Sequence, residues 1–229
     1  MRTESRLVAA LLCCASLVPV ALSAAEPANA VPATTDGSAT GTALDTCLAA
    51  LSTWQGAFTQ TVVDSRGKRV GTGRGRLTIV RPGKFRWESA PDGADDAVQL
   101  LIADGRNLWF YDRDLDQATV KPQQEALPQS PAMLLAGGAD LRAAFKVAPG
   151  GRRDGLDWVT AQPRDTQSDF REARFGFRAG ELQQLVVVDK LGQRSTLLFS
   201  DVRRNAVVDA ALVSFSLPKG ADLIGKPLP

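Results

Sequence analysis

Arg81 is the residue of this chain whose surroundings demand a chemical explanation. In Arg76-Leu77-Thr78-Ile79-Val80-Arg81 the odd positions share one face of a strand, so Leu77, Ile79 and Arg81 point the same way. Beyond the Pro82-Gly83 kink, Phe85 and Trp87 are again odd, while Lys84, Arg86 and Glu88 face the other side. If parity survives the kink, one guanidinium stands among four large apolar side chains. An unpaired buried charge is costly, so this group must find acceptors such as the exposed carbonyls at a helix end. On parity alone a second reading ranks equally: Arg81 ends its strand and reaches solvent.

Reactive constellations of the familiar kinds are missing. The 229 residues include no His, which excludes a Ser-His-Asp or Cys-His pair, an HExxH zinc site and an imidazole general base. Acids cluster at Asp92, Asp95 and Asp96 and at Asp112, Asp114 and Asp116. A calcium loop or a glycosidase pair would use such groups. The calcium pattern fails for want of the Gly and distal Glu it requires, and both clusters read as solvated loops. There is no phosphate-binding glycine loop. The expectation is no metal, no cofactor and no enzyme.

Charge and composition narrow the classes further. Lys and Arg number 27 against 25 Asp and Glu, a formal +2, which supplies no broad field for nucleic acid or an anionic membrane. Basic residues at Arg66, Lys68, Arg69, Arg74 and Arg76 could meet a partner or lipid headgroups, but read first as the outer face of a hairpin. With 44% apolar and 6% aromatic residues the chain is neither disordered nor a membrane bundle.

The elements that must position Arg81 follow from periodicity. Leu44, Cys47, Leu48, Leu51, Trp54 and Phe58 recur at three- and four-residue spacing, which predicts a one-faced helix of about four turns. Cys47 on that stripe reads as a small buried hydrophobe rather than a reactive thiol. The period then becomes two. Residues 58–64 and 70–81 flank a turn at 65–68 as a hairpin, and short strands follow at 84–89, 97–103, 107–112 and 117–120. Ser130-Pro131 starts a short helix that Gly137-Gly138 ends, and residues 140–145 make a second helical turn. Strands resume at 156–162, 170–177, 182–190, 194–202 and 213–217, with a tight turn at 178–181. Roughly ten strands in one antiparallel sheet must curl or close.

The N-terminus reads as an export signal. Arg2 and Arg6 precede the apolar run 7–22, which is short and interrupted by Pro19, and small residues around Ala24 and Ala25 suit cleavage. Cys13 and Cys14 do not sit in a lipobox, so the mature chain is expected to be unlipidated. The expected organisation is a signal peptide at 1–25, a flexible leader at 26–42 and one domain at 43–229. Of the three Cys only Cys47 lies beyond the signal, so no internal disulfide is available to the mature chain.

Five stretches occur in an order that resembles one family. They are Phe58-Thr59-Gln60; Gly73 to Leu77; Arg81-Pro82-Gly83-Lys84-Phe85-Arg86-Trp87; Asp104-Gly105-Arg106-Asn107-Leu108-Trp109-Phe110-Tyr111-Asp112; and Ser130-Pro131-Ala132-Met133-Leu134-Leu135. Their order and spacing over residues 44–218 resemble the LolA family of periplasmic outer-membrane lipoprotein carriers. The resemblance implies a mainly β (α+β) fold, an incomplete antiparallel β-barrel with a lid of short α-helices. It implies a cavity for the acyl chains of lipoproteins taken from the inner-membrane LolCDE transporter and delivered to the outer-membrane receptor LolB. It also implies that Arg81 latches the lid by bonding main-chain carbonyls, here those of Leu135 and Ala136. Phe58, Leu77, Ile79, Phe85, Trp87, Trp109, Met133, Leu134, Leu141 and Phe145 become the cavity-lining candidates, although strand aromatics and helical Met and Leu are ordinary core residues without the resemblance. Ala132 departs from the pattern, being small where a bulky side chain would fill the lid.

The family thus implies a periplasmic chaperone that acts as a monomer, binds no nucleic acid and does not insert stably in a membrane. Two other classes stay in view. One is a half-barrel lipid binder serving as an envelope sensor or as carrier of another acylated product. The other, far behind, is a carboxylate-based hydrolase without His.

Overall fold

The computed structural model describes residues 42–94, 96–126, 131–137 and 141–229, with the side chains of 126, 131, 141 and 142 not described. The expected signal peptide, the expected leader up to residue 41, and the expected roles of Asp95, Ser130, Gly138 and Asp140 lie outside these residues. The short helices are α1 (Ala43–Ala49), α2 (Gln123–Ala126), α3 (Pro131–Ala136) and α4 (Leu141–Ala144). The strands are β1 (Thr53–Val63), β2 (Arg69–Val80), β3 (Lys84–Pro91), β4 (Gln99–Ala103), β5 (Asn107–Asp112), β6 (Gln117–Pro122), β7 (Phe145–Arg153), β8 (Leu156–Pro163), β9 (Phe170–Arg178), β10 (Glu181–Asp189), β11 (Arg194–Arg204) and β12 (Asp222–Ile224).

All twelve strands form one sheet in the order β12-β6-β5-β4-β3-β2-β1-β11-β10-β9-β8-β7. Every pairing is antiparallel except β12 on β6, and the terminal strands β12 and β7 are not neighbours, so the sheet stays open. It curls nonetheless. A single apolar core joins Leu77 and Phe85 from β2 and β3 to Val159 and Phe175 from β8 and β9, with α1 and α3 inside. α1 packs on β8 while α3 packs on β2 and β3, which are far from β8 in the strand order. The fold is an incomplete antiparallel barrel with short helices on its inner face.

The helix expected over 44–58 is much shorter than its periodicity suggested. Thr42, assigned to the leader, caps α1 in a reciprocal box with Asp45, and the helix stops at Ala49. Trp54 and Phe58 belong to β1, where Trp54, Gly56, Phe58, Gln60 and Val62 are buried in alternation. Positions 54 and 58 satisfy both a helical and a strand period, and the small Gly56 and polar Gln60 conceal the strand pattern. Pairing with β2 on one side and β11 on the other decides between them.

Two further differences lie at the sheet's margins. Residues 145–153 form an edge strand that the Pro149-Gly150-Gly151 run hid, a proline being tolerated at an edge and at the bulge found there. The strand expected at 213–217 is instead the end of a 3-10 turn, Ala210–Val213, followed by irregular chain. That chain lays Phe215 over Trp109 and Tyr111, at ring separations of 4.9 and 5.8 Å, and continues into β12. It covers a second, outer apolar cluster of Leu100, Ile102, Trp109, Tyr111, Ala118 and Val120.

Asp104 anchors that outer layer. Its carboxylate accepts the Trp109 indole N–H at 2.8 Å and the backbone N–H groups of Arg106 and Asn107 at 2.8 and 2.7 Å. Burial pushes its pKa up, but these donors outweigh burial and hold it below the ordinary carboxylate range. A depressed folded value means the contribution to stability is complete above about pH 4 and is lost as pH falls through the lowered value. Asp104→Asn is therefore expected to lower stability at pH 7 and to flatten this part of the acid limb, read by urea unfolding across pH 2–7.

Gly75 faces Phe58 across the β1–β2 ladder. A Cβ at that position would run into the Glu88 carbonyl and the Phe58 ring, so the ring can lie on the sheet only because position 75 has no side chain. Gly75→Ala is expected to destabilise the fold by about 1–3 kcal/mol through overpacking, measurable as a lower urea midpoint at unchanged slope.

Candidate functional site

The inner floor is built by register. Leu77 pairs with Trp87 and Trp87 with Leu101, while Ile79 pairs with Phe85 and Phe85 with Ala103. Parity therefore does survive the Pro82-Gly83 kink, and Leu77, Ile79, Phe85 and Trp87 share one face, all buried. Phe58 stands 5.2 Å from Trp87 and 6.3 Å from Phe199, and Trp54 meets Phe199 edge-on at 5.1 Å. These offset and edge contacts tile the floor with aromatic surface. Phe145 closes the far side, stacked on Phe170 at 6.1 Å.

Trp109 does not join them. It pairs with Ile102, which pairs with Arg86, and that row faces outward, whereas Leu108 lies on the inner face. Its burial comes from Asp104 and Phe215, so the sequence correctly marked a buried residue but put it on the wrong side of the sheet. Leu141 is placed in α4, and its side chain lies outside the described residues.

Against the floor sit α1 and α3. Every residue from Ala132 to Ala136 is at most 2% exposed, so α3 is buried on all sides and not laid on as an amphipathic cover. Met133, Leu134 and Leu135 belong to the main core with Leu44, Cys47 and Leu48 of α1. The Cys47 thiol is free and buried, and burial pushes its pKa up, which leaves it a protonated core group.

The corner 81–83 joins both helices. The Arg81 guanidinium donates through Nη1 to the carbonyl of Leu48 and, at 3.4 Å, to that of Leu51, while the Arg81 backbone N–H donates to Ser52 at 2.8 Å. The Leu48 carbonyl also takes the Leu51 backbone N–H at 3.2 Å, while Leu51 and Ser52 lie just past the end of α1. Leu135 and Ala136, expected as acceptors, do not take the Arg81 side chain. The Ala136 carbonyl instead accepts the Gly83 backbone N–H at 3.0 Å, because the arginine turns toward α1. α3 ends at Gly137, with φ of +56° and its N–H on Met133, and any Cβ there would fall on the Arg81 guanidinium. The arginine is thus held between the ends of both helices.

Two polar residues that sequence reasoning missed complete the corner. Gln123 is buried, donates Nε2 to the Gly83 carbonyl at 2.6 Å and accepts from the Gly105 N–H at 2.9 Å. Asn205, with φ of +55°, accepts from Ser52 N–H at 2.8 Å and donates to the Ala50 carbonyl at 2.9 Å, tying the end of α1 to β11. Asn in the left-handed region after a strand is a recognisable turn signal. Nothing local marks Gln123, whose partners are distant in sequence.

Other candidate groups resolve into structure. Asp112 accepts from the Asp114 and Leu115 backbones and Asp116 from the Tyr111 hydroxyl at 2.7 Å, so these acids shape a turn. Among the described residues no group of three His, Cys, Asp or Glu could hold a metal, and no helix is long and apolar enough to cross a membrane. On the outer face Arg74, Arg76, Glu88 and Arg113 border an open groove of about 620 Å³.

A family model described as "Outer membrane lipoprotein carrier protein LolA" matches residues 49–216. A protein named outer-membrane lipoprotein carrier protein from Methylobacillus flagellatus is 38% identical over 169 residues, covering 74% of this chain and 80% of its own. One of the same name from Chromobacterium violaceum is 40% identical over 167 residues, covering 73% and 78%. A third, from Cupriavidus pinatubonensis, is 36% identical over 214 residues, covering 92% and 95%. With the family model matching through the apolar floor, the Arg81 corner and α3, and with relatives this similar, the chain belongs to the LolA family.

Proposed function

We propose that this protein is a periplasmic carrier that shields the acyl chains of lipoproteins in the space between its apolar floor and its inner helices. It would receive them from an inner-membrane LolCDE-type transporter and pass them to a LolB-type receptor at the outer membrane. The observation that carries the reading is α3, an apolar segment buried on all sides against a continuous aromatic floor and pinned at its end by a few polar contacts. Relatives named as outer-membrane lipoprotein carriers support it. No bond is made or broken in such a role, and the chain would work as a monomer without cofactor or nucleic acid.

The energetics suit reversible binding. Burying acyl chain is worth about 0.8 kcal/mol per methylene, so a lipid anchor cannot cross water unaided. The same floor, in the closed form, buries Met133, Leu134 and Leu135, each worth about 1.5–3 kcal/mol. Cargo must displace them, and this competition lowers its net affinity to a level from which a receptor can take it. The Arg81 bonds add to the closed side of that balance.

The mature protein, added to spheroplasts holding a radiolabelled outer-membrane lipoprotein, should release it as a soluble one-to-one complex. Failure to release it, with the protein folded and a matched transporter present, would end the carrier reading. In Arg81→Leu one charge-assisted bond of about 1.5–3 kcal/mol and a longer, weaker one are lost, so the open form gains tenfold or more. Release from spheroplasts should persist while transfer to LolB slows by a similar factor. An unchanged transfer rate would sink the latch role.

A further inference from the structure

Three buried N–H donors have no acceptor among the described residues: Trp54 Nε1, Arg81 Nε and Arg204 Nε. They belong to one end of the inner floor. Trp54 lies directly opposite Arg204 on β11 and opposite Ile79 on β2, two residues before Arg81. Buried polar groups nearly always find partners, so three unmatched donors in neighbouring strands call for an explanation.

Arg204 is there because of a bulge. Along β11 the inward residues are Ser195, Leu197 and Phe199, and simple alternation would turn Arg204 outward. Asp201 has φ of +52°, and the register steps from Ala57 opposite Ser200 to Gln55 opposite Arg203. One extra residue on β11 reverses the parity beyond it. Val202 then packs against the main core and Arg204 faces Trp54. Only its Nη1 is engaged by another side chain, at 2.6 Å from Glu181.

We propose that Arg204, together with the free N–H groups of Trp54 and Arg81, binds the ester carbonyl oxygens at which acyl chains join the head of the cargo. The proposal rests on the carrier reading and adds a polar recognition site to its apolar cavity. The groups left over are all donors, which asks for acceptor oxygens at the end of an otherwise apolar ligand. Their surroundings also decide against a charged one. Glu181 already pairs with Arg204, so a carboxylate or phosphate held there would sit beside a like charge, while Arg81 directs its Nη1 at the carbonyls ending α1. A neutral carbonyl takes a hydrogen bond from a guanidinium without adding a charge to be desolvated.

The test uses the mature protein and two synthetic lipopeptides below their micelle concentration, a dipalmitoyl-glyceryl-cysteine peptide and its dialkyl-ether analogue lacking both ester carbonyls. Wild type should bind the ester about tenfold more tightly than the ether in calorimetric titration. Arg204→Met should narrow that ratio severalfold, the remainder being held by Trp54 and Arg81. Glu181→Gln breaks the same ion pair but keeps the guanidinium, and should retain the ester preference. Equal affinities in wild type, an undiminished preference in Arg204→Met, or equal loss in both variants would overturn the proposal. Normal ether binding in those cases leaves the carrier reading standing, whereas no binding of either lipopeptide by folded wild type would defeat both.

Discussion

An open sheet with one continuous apolar face has to cover that face, and here the cover is fastened at one polar corner. Leu77, Ile79, Phe85 and Trp87 form the floor because β2 and β3 keep their parity through a turn of three residues. The same turn presents Arg81 to the carbonyls ending α1 and the Gly83 N–H to the carbonyl ending α3. Floor and fastening are therefore one hairpin. Helices of seven and six residues would not be stable in water alone, so both depend on burial against the floor and on these terminal bonds.

At one end of that interior three donors are left without acceptors among the described residues. Here the β11 bulge at Asp201 turns a guanidinium inward beside Trp54, at the end of the floor where α1 and the Arg81 corner meet the sheet. Asn205, next in the chain, holds the α1 terminus to that bulged strand. Polar recognition and lid attachment thus share a few residues at one end of an apolar space.

Outside the barrel the C-terminal chain has a different task. It lays Phe215 and Ala221 against the cluster of Trp109, Tyr111 and Ile102, which would otherwise expose an apolar patch on the outer face of β4 and β5, and adds β12 to the β6 edge. Sheet residues there are buried on both faces, as the unbroken burial of Gln99–Ala103 records. Alternation in those strands carries no inside–outside label.

The sequence by itself determined the elements that depend on local period and local turn chemistry. The β2–β3 parity, the short helix ended by Gly137, the tight turn before Glu181 and the absence of imidazole chemistry are all properties of a few adjacent residues. The order of five short stretches also placed the chain among its relatives. Tertiary structure alone decided the rest, for reasons that are physical. Trp54 and Phe58 fit two periods until pairing on both sides chose the strand. Trp109 went outward because register with Ile102, not hydrophobicity, fixes its face. Arg81 chose the carbonyls of Leu48 and Leu51 over those of Leu135 and Ala136 because acceptors are selected by where two helices end in space. Arg204 turned inward through one extra residue that no composition or period reveals. Hydrogen-bond partners and faces beyond a bulge are relations between distant segments, and they exist only once the sheet has assembled.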